Sequence, residues 1–188
     1  MTKDILRRTI LFIIIACLIF TTGCATNKQD NISVDKDKLV SVLNEKYSTD
    51  KNLKLIGDNE KVEDNYITVV SYDDLANTHY VDIVTFSVNK KDSSITFLNN
   101  KGGRADTKQP LSISSAGEIF NNKNSYLITY GEVYDNKLSS IELEYNDGQK
   151  KTQEITNNGF LVITKGDFLG INKLSAFNQN NEVVYSFP

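Results

Sequence analysis

Cysteine, tryptophan, proline and histidine are scarce in this 188-residue chain, and each scarcity closes off a class of function. Both cysteines, Cys17 and Cys24, fall within the first 24 residues, so the remainder has no thiol. That excludes a disulfide framework, a Cys-ligated zinc and a cysteine nucleophile from the body, whose stability must come from a packed core. His79 is the only histidine, so acid–base or triad chemistry near neutral pH would have to run through it. A serine triad would also need a nucleophile elbow such as G-x-S-x-G, and none is present. No D-x-[DN]-x-[DN]-G calcium loop occurs. The one glycine pair, in Lys101-Gly102-Gly103-Arg104, lacks P-loop spacing and reads as a flexible junction. No cofactor and no metal are expected.

Positive charge is never concentrated. The chain carries −3 and its first 23 residues +2 (Lys3, Arg7 and Arg8 against Asp4), which leaves −5 on the rest. Lysines alternate with acids, as in Asp35-Lys36-Asp37-Lys38, where nucleic-acid recognition would need a clustered basic face. No nucleic-acid partner is expected.

What is present begins with an export signal. Lys3, Arg7 and Arg8 precede an apolar run from Ile10 to Phe20, which Thr21-Thr22-Gly23-Cys24 closes. The run is about half of the roughly 20 residues a membrane-spanning helix needs, and small residues follow it. Ending on Gly23-Cys24, the segment resembles the signal peptides of bacterial lipoproteins, with Thr21 where Leu is usual. The resemblance implies cleavage before Cys24, a diacylglyceryl thioether on Cys24, and anchorage at the extracytoplasmic face of the cell membrane. Removal of residues 1–23 from the 188 leaves 165, enough for one ordinary domain or two small ones. Residues 24–34 read as the lipidated cysteine and a polar tether with a span of roughly 15–20 Å.

From Asp35 the spacing of Leu39, Leu43 and Tyr47 predicts a short amphipathic helix, capped by Asp35 and ended by Ser48-Thr49-Asp50. Four period-two segments follow: around Leu53 and Leu55, Tyr66 to Tyr72, Tyr80 to Val88, and Ser94 to Leu98. After an irregular stretch from Asn99 to Asn124, six short segments between turns read as strands. The expected fold is α+β, mainly antiparallel β. One N-terminal helix packs on a four-stranded antiparallel sheet over 35–98, a junction spans 99–124, and a small six-stranded β-sandwich covers 125–188.

Within the last part stand Tyr130-Gly131-Glu132-Val133, Ile141-Glu142-Leu143-Glu144-Tyr145-Asn146-Asp147-Gly148, Gly159-Phe160-Leu161 and Ala176-Phe177-Asn178-Gln179-Asn180-Asn181-Glu182-Val183-Val184-Tyr185. In this order they resemble the C-terminal half of small uncharacterised lipoproteins of Gram-positive, Bacillus-like bacteria. Asn181 takes the place of a usual Gly and Asn178 that of a usual Asp. The likeness covers about 60 of the 165 residues and bears on fold, since these motifs are strands and turns.

Carboxylate pairs occur at Asp58/Glu60, Glu63/Asp64, Asp73/Asp74 and Glu142/Glu144. Such a pair across a cleft could hydrolyse a glycoside, whereas neighbouring surface carboxylates are ordinarily solvated; Glu142 and Glu144 fit the polar face of an amphipathic strand. The loop from Asp73 to His79, flanked by Tyr72 and Tyr80, is the candidate binding region: Tyr72, Asp73, Asp74, His79 and Tyr80. The expected function is a non-enzymatic, lipid-anchored binding or interaction module with an envelope or membrane protein partner. Alternatives are a lipoprotein that captures a small ligand or peptide, of the immunity or transporter-accessory type, and a cell-wall hydrolase using a carboxylate pair.

Overall fold

The computed structural model describes residues 34–120, 124–166 and 170–187; the export signal, Cys24 and the tether up to Ser33 lie outside them. Among the described residues the chain forms one helix, α1 (Lys36–Lys46), and eleven strands. These are β1 (Lys51–Val62), β2 (Asn65–Asp73), β3 (His79–Val88), β4 (Ile95–Arg104), β5 (Ser114–Phe120), β6 (Asn124–Glu132), β7 (Leu138–Tyr145), β8 (Lys150–Glu154), β9 (Gly159–Lys165), β10 (Ile171–Asn178) and β11 (Val183–Phe187).

The helix starts where its cap lies. Asp35 accepts the backbone N–H groups of Asp37 and Lys38 at 3.1 and 3.2 Å, satisfying two donors that have no partner inside the helix. Leu39 and Leu43 then share the buried face, and Tyr47 ends the helix with its N–H on the Leu43 carbonyl. At three turns α1 depends on that packing.

The strands form three antiparallel sheets in the orders β1-β2-β3-β4, β5-β6-β9 and β11-β10-β7-β8. Three cores show how they stack. Leu39, Leu43 and Tyr47 of α1 pack with Tyr66, Val70, Val84 and Phe86 on the outer face of the first sheet. Ile67, Val69, Val81 and Ile83 on its inner face meet Tyr126, Ile128, Tyr130 and Leu161 of β6 and β9. Leu127, Phe160 and Val162 on the opposite face of those two strands meet Ile141, Leu143, Tyr145 and Leu174 of the third sheet. The middle sheet is therefore buried on both sides, and successive residues of β6 and β9 serve alternate cores.

This corrects the expected fold class. The molecule is mostly antiparallel β in three sheets with one short helix, a β-sandwich-like fold. It is not one helix-covered sheet followed by a six-stranded sandwich. The six strands after Asn124 divide, β6 and β9 joining β5 while β7, β8, β10 and β11 form the third sheet. The physical reason is β5. Its sequence Ser-Ser-Ala-Gly-Glu-Ile-Phe has few strand-favouring residues, yet it pairs with β6 from Ser114↔Tyr130 to Phe120↔Asn124. Lys101 to Arg104 likewise continue β4, opposite Ile83 to Tyr80. By backbone contacts Val34 to Pro188 make one compact unit.

Candidate functional site

β2 and β3 pair in register from Asn65↔Ser87 to Asp73↔His79, so the loop Asp74 to Thr78 joins two strands whose ends are fixed. Asp74 closes the loop. Its Oδ1 accepts the Thr78 N–H at 2.8 Å, and its own N–H donates to the Thr78 carbonyl at 2.9 Å. Asn77 turns the chain back at φ +58°, a left-handed conformation that asparagine tolerates. Leu75 stands at the tip, 70 % exposed.

Residues directly opposite in an antiparallel pair share a face, and their neighbours point the other way. The five candidate residues are split by this rule. Tyr72 and Tyr80 lie toward α1, with stacked rings 5.4 Å apart, and Tyr47 from the helix end packs on Tyr72 at 4.8 Å. Asp73 and His79 lie toward the middle sheet, and Asp74 belongs to the loop closure.

The aromatic group on the helix side surrounds a buried acid absent from the sequence reading. Asp82, 3 % exposed, accepts from the Tyr47 and Tyr72 hydroxyls at 3.3 and 3.2 Å and from the Asn100 amide at 2.8 Å. Burial, and then the Asp82 charge, push both phenols far above the ordinary tyrosine range, so they remain donors. Gly102 leaves the carboxylate its room, since a Cβ there would stand 1.9 Å from Asp82 Oδ1.

On the other face the imidazole of His79 spans two carboxylates. Nδ1 lies 2.7 Å from Asp73 Oδ1, and Nε2 lies 2.6 Å from Glu132 Oε2 on β6. Only the imidazolium donates from both nitrogens, and both distances are those of charge-assisted bonds. The array continues outward: Asn52 donates to the second Asp73 oxygen at 2.7 Å, and the Ser71 hydroxyl donates to Glu132 Oε1 at 3.3 Å. Burial would lower the histidine pKa. Its hydrogen bonds to Glu132 and Asp73, with their charges, outweigh that and hold it above the ordinary value. The Asn52 bond first, and then His79, hold Asp73 below the usual carboxylate range. The two nitrogens point apart, so these groups do not converge on one point as metal ligands must; among the described residues no set of three or more His, Cys, Asp or Glu is placed to hold an ion.

Beside His79 opens a cleft of about 660 Å³, lined by residues 76–79 and 104–108. The Ala105 N–H on the His79 carbonyl, at 2.9 Å, ties its two walls together. Asp106 is engaged locally, accepting the Lys108 N–H at 3.0 Å. No protein-family model, curated protein or solved structure matches the chain. The site therefore rests on its own geometry.

Sequence reasoning missed Glu132, Asp82 and Arg104. The first two carry a legible signal, a lone acid inside an apolar strand: Tyr130-Gly131-Glu132-Val133 and Val81-Asp82-Ile83. An acid in such a run is inside and needs partners. The carboxylate pairs go elsewhere. Glu142 and Glu144 share Lys150 at 3.0 and 3.4 Å, while Glu63 accepts the Tyr126 hydroxyl at 2.5 Å and the Asn124 amide at 2.8 Å.

Proposed function

We propose that this chain is a lipid-anchored, extracytoplasmic lipoprotein whose body is a non-enzymatic binding module, with the cleft beside His79 as its ligand-facing site. The observation that carries the reading is the placement of that cleft relative to the point where the tether enters. Val34 precedes α1, whose start lies near the β3–β4 turn: Ser94 backbone and side-chain bonds, and more weakly the Lys38 charge, lower the Asp92 pKa. The other end of α1 reaches Asp82 through Tyr47. The cleft is at that far end, where Tyr80 pairs with Arg104. Along β3 from Val88 to His79 the distance is roughly 30 Å. A body held by Cys24 would thus present its cleft away from the lipid.

A capture role for a small ligand or peptide is favoured over docking of a large flat partner by the same cleft, whose size is that of ligand pockets. The nearest acid pair to the cleft, Asp73 and Glu132, already holds one imidazole between its members. This occupancy supports binding over glycoside hydrolysis.

Replacing Cys24 by Ala in cells fed a clickable palmitate analogue tests the anchor. The native chain should take up label and sediment with membranes, and the variant should be unlabelled and released into the medium. Equal sedimentation of the unlabelled variant would overturn the anchored reading. Cross-linking and capture from intact cells would then compare what each form retains.

A further inference from the structure

We infer that the cleft beside His79 recognises a single carboxylate, such as the free α-carboxylate of a short peptide, through Arg104 and Lys108. The inference deepens the binding-module reading and rests on it.

Arg104 is the only arginine after residue 8, in a body that otherwise uses lysine for positive charge, and it lines the same cleft as the only histidine. Its placement is determined by the fold. It is the last residue of β4, held in register opposite Tyr80, and Ala105 behind it is bonded to the His79 carbonyl. The guanidinium is exposed and takes part in no hydrogen bond or ion pair among the described residues. Lys108, on the same wall, is equally free at its ammonium group. A planar five-donor fork matches the two oxygens of a carboxylate, whereas a lysine offers only a point charge.

The charge balance selects a monoanion. Arg104 and Lys108 against Asp106 leave one positive charge at the mouth. Behind them the His79 imidazolium is already met by Asp73 and Glu132, and Asp74 adds a further acid. A dianionic phosphate would meet that surplus of negative charge; a carboxylate is neutralised by what is free. The lining is short and polar, with Ala76, Thr78 and Thr107 as its small surfaces, which leaves room for the first residue or two preceding a peptide carboxylate.

The test uses the full-length chain, ¹⁵N-labelled in mild detergent, titrated with N-acetyl-dialanine, its C-terminal amide, and inorganic phosphate. The free acid should shift the amide signals of residues 76–79 and 104–108 saturably, and the other two probes should leave them in place. Arg104→Gln should weaken the acid roughly tenfold or more, and Arg104→Lys should recover only part of that loss. Because Arg104 is exposed and unpartnered, both variants should keep the native spectrum elsewhere; Lys108→Gln is the second variant if either does not. Unmoved signals, equal response to the amide, or tighter binding of phosphate would each overturn the assignment. The palmitate test is independent, so an inert cleft on a labelled, sedimenting protein refutes this inference and leaves the anchor standing.

Discussion

His79 joins the first sheet to the middle one, and its proton decides whether the joint holds. A group whose folded pKa is raised contributes stability below its ordinary value of about 6.5 and loses that contribution as pH rises through the folded value. Asp73 and Glu63 are depressed, Glu63 chiefly by the Tyr126 hydroxyl; their contribution is present above the ordinary carboxylate range and lost as pH falls through the folded values. The melting temperature should therefore be highest in mild acid and decline toward alkaline pH. Replacing His79 by Gln should remove the alkaline decline and cost about 2 kcal/mol in mild acid, since Glu132 stays buried with Ser71 as its remaining side-chain partner. That is roughly 4–8 °C of melting temperature for a chain of this size. Parallel profiles for both proteins between about pH 5 and pH 9 would sink the account. Why the sequence could not show this joint is plain at this scale: Asp73 and His79 are near neighbours in the chain, but Glu132 lies 53 residues on.

β6 is the element on which the stack closes. It pairs with β5 on one side and β9 on the other, and its two ends are clamped to the first sheet by polar contacts: Glu63 with Tyr126 and Asn124 at one, His79 with Glu132 at the other. Near its end, Gly131 is crowded. A Cβ there would stand 1.9 Å from the Ser112 carbonyl and 2.7 Å from the Phe160 ring. Gly131→Ala should cost about 3 kcal/mol through overpacking, while Gly103→Ala, with open space around it, should stay within about 0.5 kcal/mol of native. Denaturant midpoints for the two variants would check this, and equal midpoints would refute the crowding argument. Many single strands were legible, because Asn- and Gly-rich turns bracket them and apolar residues mark their faces. Their partners were not. A strand buried on both faces loses the alternation that tells inside from outside, as Tyr126 to Val133 show, and β5 lacks the composition that would mark it as a strand at all.

As a whole the body depends on shared strands. β2 and β3 each supply one face to the core under α1 and the other to the core against β6, so neither core exists without the other's strands. Heating the full chain should give one transition, coincident in far-ultraviolet dichroism and tyrosine fluorescence. A fragment ending at Phe120 should show none, since Ile67, Val69, Val81 and Ile83 would face water. Two separated transitions, or cooperative melting of the fragment, would contradict this dependence. The division into a helix-and-sheet part and a sandwich part was a natural reading of the irregular stretch from Asn99 to Asn124, because nothing in the local sequence says that β5 crosses to β6.

The path of the chain through the first sheet also has a mechanical side. The tether enters at Val34; α1 runs from there toward the cleft, and β1 starts back from the cleft end, Lys51 opposite Asp73, to finish at Val62 opposite Asn65. A ligand pulled outward against a membrane anchor would place its load along α1 and β1, parallel to the strands. In that geometry the ladder between β1 and β2 bears the load in shear, with its hydrogen bonds strained together instead of unzipped one by one.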